Sequence, residues 1–178
     1  ALPCEWVGLS VGVSPNIDFL RGSGLALGKG IQVNRFLETN LPNVYAVGDC
    51  AEQTEPLPGR QAVEAVWYTG RIMGETLAQT LTDRKTAYQP GPWFNSAKFF
   101  DIEYQIYGEL SPTPDPEKEV QLYWQHPTKN CSLRLSFDPQ HLFFKGILSL
   151  GIRLRHEYFD RWLRTPTLMS EVVNKLGP

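Results

Sequence analysis

The feature that most constrains this chain is the passage Val44-Tyr-Ala-Val47-Gly48-Asp49, an apolar, β-rich run that starts after Pro42, stops on a glycine and is followed at once by a carboxylate. Such a run reads as a short buried strand that breaks at Gly48. Asp49 is then expected at the carboxyl end of that strand. In open α/β sheets ligands collect in the crevice beyond the carboxyl ends of the strands, where a carboxylate can accept hydrogen bonds from ligand hydroxyls. An Asx turn or a helix cap uses the same residue type, so the spacing alone leaves these roles open.

Composition removes several classes of function. Of 178 residues, 42% are hydrophobic and 12% aromatic, enough to build a core as one domain or two small ones. Seventeen Lys and Arg stand against nineteen Asp and Glu, a net charge of -2 with no basic run, which argues against a nucleic-acid partner. The longest apolar stretch, Leu142 to Ile152, is interrupted by Lys145 and is too short to cross a bilayer. With no signal-peptide pattern at its start, the chain is expected to be soluble and cytoplasmic, without a membrane partner. Cys4, Cys50 and Cys131 are scattered and odd in number, which suggests reduced thiols. His126, His141 and His156 have no cysteine or carboxylate at ligand spacing, so no metal is expected.

Along the chain, residues 53–60 form a turn-rich loop, and a long amphipathic helix is expected from Gln61 to about Thr82. Val63, Val66, Trp67, Gly70, Gly74, Leu77 and Leu81 would form its apolar stripe, with Gly70 and Gly74 marking close approach to a neighbouring element. Gly22-Ser-Gly24 and Gly28-Lys-Gly30 read as turns, since no apolar helix follows either pair. Residues 83–92 read as a linker, with a domain boundary near residue 90. Beyond it the pattern alternates, with strands expected at 99–107, 120–124, 131–137 and 142–150, forming an antiparallel sheet. The proline-rich residues 111–116 are expected as a hairpin loop and 138–141 as a tight turn. After Gly151 the period becomes helical, with Leu154, Tyr158, Phe159, Trp162 and Leu163 on one face. A last helix is expected from Thr165 as N-cap and Pro166 at its first position, with Leu168, Val172 and Leu176 on its apolar face.

The stretch Thr39-x-x-Pro42-x-Val44-Tyr-Ala-x-Gly48-Asp49 resembles the second flavin signature of the FAD-dependent pyridine nucleotide-disulfide oxidoreductases. Glu5 to Asn16 is similar to the strand that closes that family's NAD(P) domain, and Gly30-Ile-Gln-Val-Asn34 to the strand that returns to the FAD domain. Three landmarks in the family's order are more specific than any one of them. No Gly-x-Gly-x-x-Gly occurs, so both dinucleotide fingerprints are missing and the resemblance covers only the C-terminal part of such an enzyme. The fold it implies is an α/β remnant of a two-dinucleotide-binding-domain flavoprotein in residues 1–90. An α+β interface domain follows in 91–178, an antiparallel sheet with C-terminal helices.

In that family a helix after the signature points its N-terminus at the flavin O2, where free N–H groups and the positive dipole end favour developing negative charge. The helix from Gln61 looks like that helix, which would make Ala62 and Val63 the contacting amides. An ordinary core helix would need nothing from its N-terminus. Pro92-Trp93-Phe-Asn95-Ser96 is similar to a segment of ferredoxin-reductase-like members whose aromatics lie beside the flavin, with Asn95 departing from the pattern. The resemblance therefore implies Gly48, Asp49, Cys50, Gln61, Ala62, Val63 and Trp93 as cofactor-binding candidates, and no catalytic residue in this chain. Dithiol-type members use a His-Pro-Thr-x-x-Glu segment. Here His126-Pro-Thr128 lacks the Glu, and Thr165 stands where the His would be; threonine cannot relay a proton as imidazole does.

The expectation is thus the C-terminal part of a single-flavin reductase that takes electrons from NAD(P)H to an acceptor the sequence does not name. Alone, it should bind FAD weakly or not at all, and it should form a homodimer through residues 91–178. The alternative is a non-enzymatic dimerisation or docking module carrying a stranded remnant.

Overall fold

A computed structural model describes residues 2–176. The chain divides into two compact units, one formed by residues up to Pro56 together with Gln61–Tyr88, the other by Leu57–Arg60 together with residues from Gln89 on.

In the first unit, β1 (Ile31–Val33) runs parallel to β2 (Ala51–Gln53), with Ile31 opposite Ala51 and Val33 opposite Gln53. The expected return strand is β1. Val33, Leu37, Ala46, Ala51, Met73 and Tyr88 make the core. Two expected strands do not form. Residues 44–47 make a single bridge, Tyr45 to Glu38, because the chain folds back on itself through 41–43. The Thr39 N–H donates to the Val44 carbonyl and Ala46 N–H to the Leu37 carbonyl, so the apolar run pairs with a tight turn rather than a sheet. Residues 5–16 carry no strand either: Trp6 and Val11 are 83% and 90% exposed, and no ladder partner faces them among the described residues.

α1 spans Trp67–Leu81, six residues shorter at its start than the periodicity suggests. Its buried face is Thr69, Met73 and Thr76, flanked by Ile72 and Leu77. Trp67, Gly74 and Leu81, expected inside, are exposed. The stripe was drawn from apolar types alone, whereas threonine methyls and a flexible thioether do the packing.

The second unit is a five-stranded antiparallel sheet in the order β3-β4-β7-β6-β5. Its strands are β3 (Phe94–Phe99), β4 (Ile102–Gly108), β5 (Val120–Gln125), β6 (Ser132–Phe137) and β7 (Phe144–Leu150). β3 has no counterpart in the sequence reading, since its polar Asn95 and Ser96 blur the alternation. β4 and β5 are not neighbours, so residues 111–116 lie in a crossover to the far edge of the sheet, which corrects the hairpin assignment. Buried Glu119 anchors that crossover by accepting from Ser136 Oγ at 2.9 Å, the Ser111 N–H at 3.1 Å and the Gln121 side chain. Burial pushes its carboxyl up, but those hydrogen bonds and the Lys145 charge outweigh burial and hold it below the ordinary glutamate value.

α2 (His156–Arg164) and α3 (Met169–Leu176) complete the unit. Tyr107, Leu135, Phe144, Ile147, Leu154, Phe159, Trp162, Met169 and Val172 form one core, with the Tyr107 and Phe159 rings stacked at 5.2 Å. Tyr158, expected on the buried face of α2, is partly exposed. Thr165 ends α2 instead of starting the last helix. As the residue before Pro166 it is extended, and the next residues bond to the start of β7, the Phe144 N–H to the Thr167 carbonyl and the Met169 N–H to the Leu142 carbonyl. Among the described residues no helix is long and apolar enough to cross a membrane, and no His, Cys, Asp and Glu group has metal-binding geometry.

Candidate functional site

Gly48, Asp49 and Cys50 form one 3-10 turn that leads directly into β2. Asp49 therefore precedes a strand rather than ending one, which corrects its expected position. Gly48 takes φ +79°, a left-handed conformation that a side chain would strain. It is also pinned against α1. Its N–H donates to Met73 Sδ at 3.3 Å, and a Cβ on Gly70 would lie 3.3 Å from the Gly48 Cα. Gly70 thus marks the close approach inferred from its place in the helix, whereas nothing lies within 4 Å of a Cβ on Gly74. Cys50 is half-buried, its thiol 3.6 Å from the Val47 carbonyl.

The Asp49 side chain is exposed, and among the described residues no hydrogen bond or ion pair engages it. A carboxylate presented on a rigid turn with its acceptor positions open can receive ligand hydroxyls at no cost of breaking an internal contact. Glu52 does the opposite. Its Oε2 accepts from the Gly30 N–H at 2.9 Å, and a Cβ on Gly28 would collide with that carboxylate. The pair Gly28 and Gly30, read from the sequence as plain turn residues, is what lets the loop close over Glu52 and secure β2.

Gln61, Ala62 and Val63 are not at a helix N-terminus. The Gln53 N–H donates to the Ala62 carbonyl at 2.8 Å, holding the irregular residues 61–63 beside β2, and the Gln61 N–H donates to Glu64 Oε1 at 3.2 Å. Glu64 is buried and accepts from Thr69 Oγ1 at 3.2 Å. Val66 is still extended, so the first helical bond, Gly70 N–H to the Val66 carbonyl, places the N-terminus at Trp67. Its N-cap residue, Val66, makes no side-chain cap. Gln53 is not among the residues the sequence singles out, yet its buried Nε2 has no hydrogen-bond partner among the described residues. Its polar type within an apolar unit was the available signal.

Trp93 belongs to the second unit, so the structure groups only part of the candidate set together. The Arg60 guanidinium lies 5.2 Å from its ring centroid and donates to the Gly91 carbonyl at 3.0 Å. Trp93 lines a hollow of about 230 Å³ with Glu109, Lys145 and Leu163. Asn95 donates to Tyr104 Oη at 3.0 Å and thereby ties β3 to β4.

This geometry can be set against known proteins. Residues 1–74 match the profile of the family described as pyridine nucleotide-disulphide oxidoreductase. Over these residues the chain is similar to that family. One relative is a rubredoxin-NAD(+) reductase of Acinetobacter baylyi, 49% identical over 73 residues that cover 41% of this chain and 18% of the relative. The solved ferredoxin reductase for the CYP199A2 system of Rhodopseudomonas palustris superposes with a TM-score of 0.76 at 22% identity, over 99% of this chain and 44% of that one. An FAD-dependent pyridine nucleotide-disulphide oxidoreductase of Desulfovibrio vulgaris gives a TM-score of 0.69 at 20% identity, over 92% of this chain and 45% of that one. These two likenesses establish the fold. The chain thus spans less than half of either solved oxidoreductase and about a fifth of the curated one.

Proposed function

We propose that this chain is the C-terminal part of a cytoplasmic, FAD-dependent NAD(P)H reductase, with residues 1–90 completing the flavin site and residues 91–178 forming an interface domain that dimerises. The observation that carries the reading is Asp49, an unengaged carboxylate on a glycine turn locked against α1, inside the stretch that matches the family. FAD would supply the hydride and electron chemistry. The chain's own residues bind and orient: Asp49 accepts flavin-side hydroxyls, Gly48 keeps the turn close to α1, and the N-terminus of α1 offers its dipole to developing negative charge. Trp93, with Arg60 already against its ring, is a flanking candidate. No residue of this chain breaks or forms a bond in that scheme.

The visible spectrum of the purified chain, followed by FAD titration under flavin fluorescence, tests this. Binding is expected only at high FAD and should weaken roughly tenfold, about 1.4 kcal/mol, in Asp49→Ala. Indifference of FAD binding to that substitution removes Asp49 from the site. NAD(P)H oxidation by the chain alone refutes the idea of a partial site.

One observation favours the alternative of a non-enzymatic dimerisation module: the second unit has a core complete in itself. Size-exclusion chromatography without flavin discriminates between the readings, because a stable flavin-free dimer is what the module requires.

A further inference from the structure

The two edges of the five-stranded sheet are unlike. β3 carries exposed Lys98, and a charge is a device that keeps an edge strand from pairing. β5 carries no charged residue: it reads Val-Gln-Leu-Tyr-Trp-Gln, and its register against β6 runs unbroken from Val120 opposite Phe137 to Gln125 opposite Ser132. Leu122, Tyr123 and Trp124 are 47%, 61% and 46% exposed, so apolar surface lies on both faces of this edge. Among the described residues the backbone of Val120–Gln125 bonds to β6 alone.

We propose that β5 is a self-pairing edge, which a second copy of this chain joins antiparallel about a two-fold axis through Tyr123. The inference rests on the proposed dimerisation through residues 91–178 and names the element that makes it. Opposed residues of an antiparallel pair share a face. The Tyr123-centred register sets Tyr123 against Tyr123, Leu122 against Trp124 and Gln121 against Gln125, apolar on apolar and amide on amide. A slip by one residue turns every side chain to the wrong face, and a slip by two sets Tyr123 against a glutamine. An extended peptide would gain the same backbone bonds without this match, which is why the occupant is a second copy. Charge agrees. The strand is neutral, so no like charges oppose one another across the axis. One strand edge buries less than the roughly 1,200 Å² of a standard stable interface, so the association depends on concentration.

Sedimentation velocity over a concentration series tests the proposal with Tyr123→Lys, which opposes two charges at the axis, and with Phe99→Lys at the other edge as control. Circular dichroism verifies that both fold. A concentration-dependent dimer is expected, weakened roughly tenfold or more by Tyr123→Lys and unchanged by Phe99→Lys. Amide hydrogen exchange at Val120–Gln125 reads the same contact without substitution and should slow as concentration rises. A dimer that Tyr123→Lys leaves intact, or exchange that ignores concentration, overturns the β5 edge while sparing the wider dimerisation reading. A monomer at every concentration overturns both.

Discussion

In the second unit, Tyr107, Ile147, Phe159 and Val172 are buried by residues of the same unit, and five strands share a continuous ladder. In the other unit the ladder is three residues long, and Leu2, Trp6, Leu9 and Val11 are exposed. Yet the family match, residues 1–74, falls almost entirely on the first unit. A chemical signature and a self-sufficient core are separate properties: a glycine turn with a carboxylate needs one helix to lean on, whereas a long strand needs a neighbour on each side. The apolar side chains left in water would suit burial against further protein.

The sharpest way to break this comparison is to attack the complete core. Phe159→Ala removes a ring that stacks on Tyr107 and abuts Trp162, and should cost about 3–5 kcal/mol. Urea unfolding followed by far-UV circular dichroism should show two transitions, of which the more stable shifts in this variant. A single transition affecting all of the signal equally would mean the units do not differ in stability as argued.

How much was legible follows the same division. Strands β4 to β7 and α2 could be read because their apolar and aromatic residues recur at strand or helix spacing. β3 was hidden because Asn95 and Ser96 interrupt that period. In the first unit the residues of the signature were legible as types but not as geometry. Val44-Tyr-Ala-Val47 looks like a strand, and only the Thr39 and Ala46 backbone bonds show that it is one side of a turn. The late start of α1 was equally invisible, since it depends on Gln53 holding the Ala62 carbonyl and on Glu64 folding back to Gln61, contacts that periodicity does not encode.

Glycines sharpen the comparison at smaller cost. Gly48→Ala forces a side chain into a left-handed conformation and should destabilise the first unit by about 1–2 kcal/mol. Gly74→Ala, helical and open on all sides, should stabilise it by about 0.5–1 kcal/mol. Thermal unfolding of both variants should move the first unit's transition in opposite directions and leave the second unit's in place. Equal shifts in both transitions would show the units to be energetically one.

The smallest expected effect is the pH dependence of the second unit. The Glu119 carboxyl is held below its ordinary value of 4.5 in the folded state, so the unfolded chain binds the proton more readily. Its contribution is therefore fully present above about pH 4.5 and fades as pH falls through the lower, folded value. Asp138, held down first by the His141 backbone N–H, acts in the same direction from the exposed β6–β7 turn. Glu119→Gln keeps the shape but turns a donor toward groups that already donate, Ser136, Gln121 and the Ser111 N–H. It should lower the melting temperature of the second unit near neutral pH and flatten its decline toward about pH 3. An unchanged acid slope in the variant would transfer the pH dependence from the crossover to the surface carboxylates.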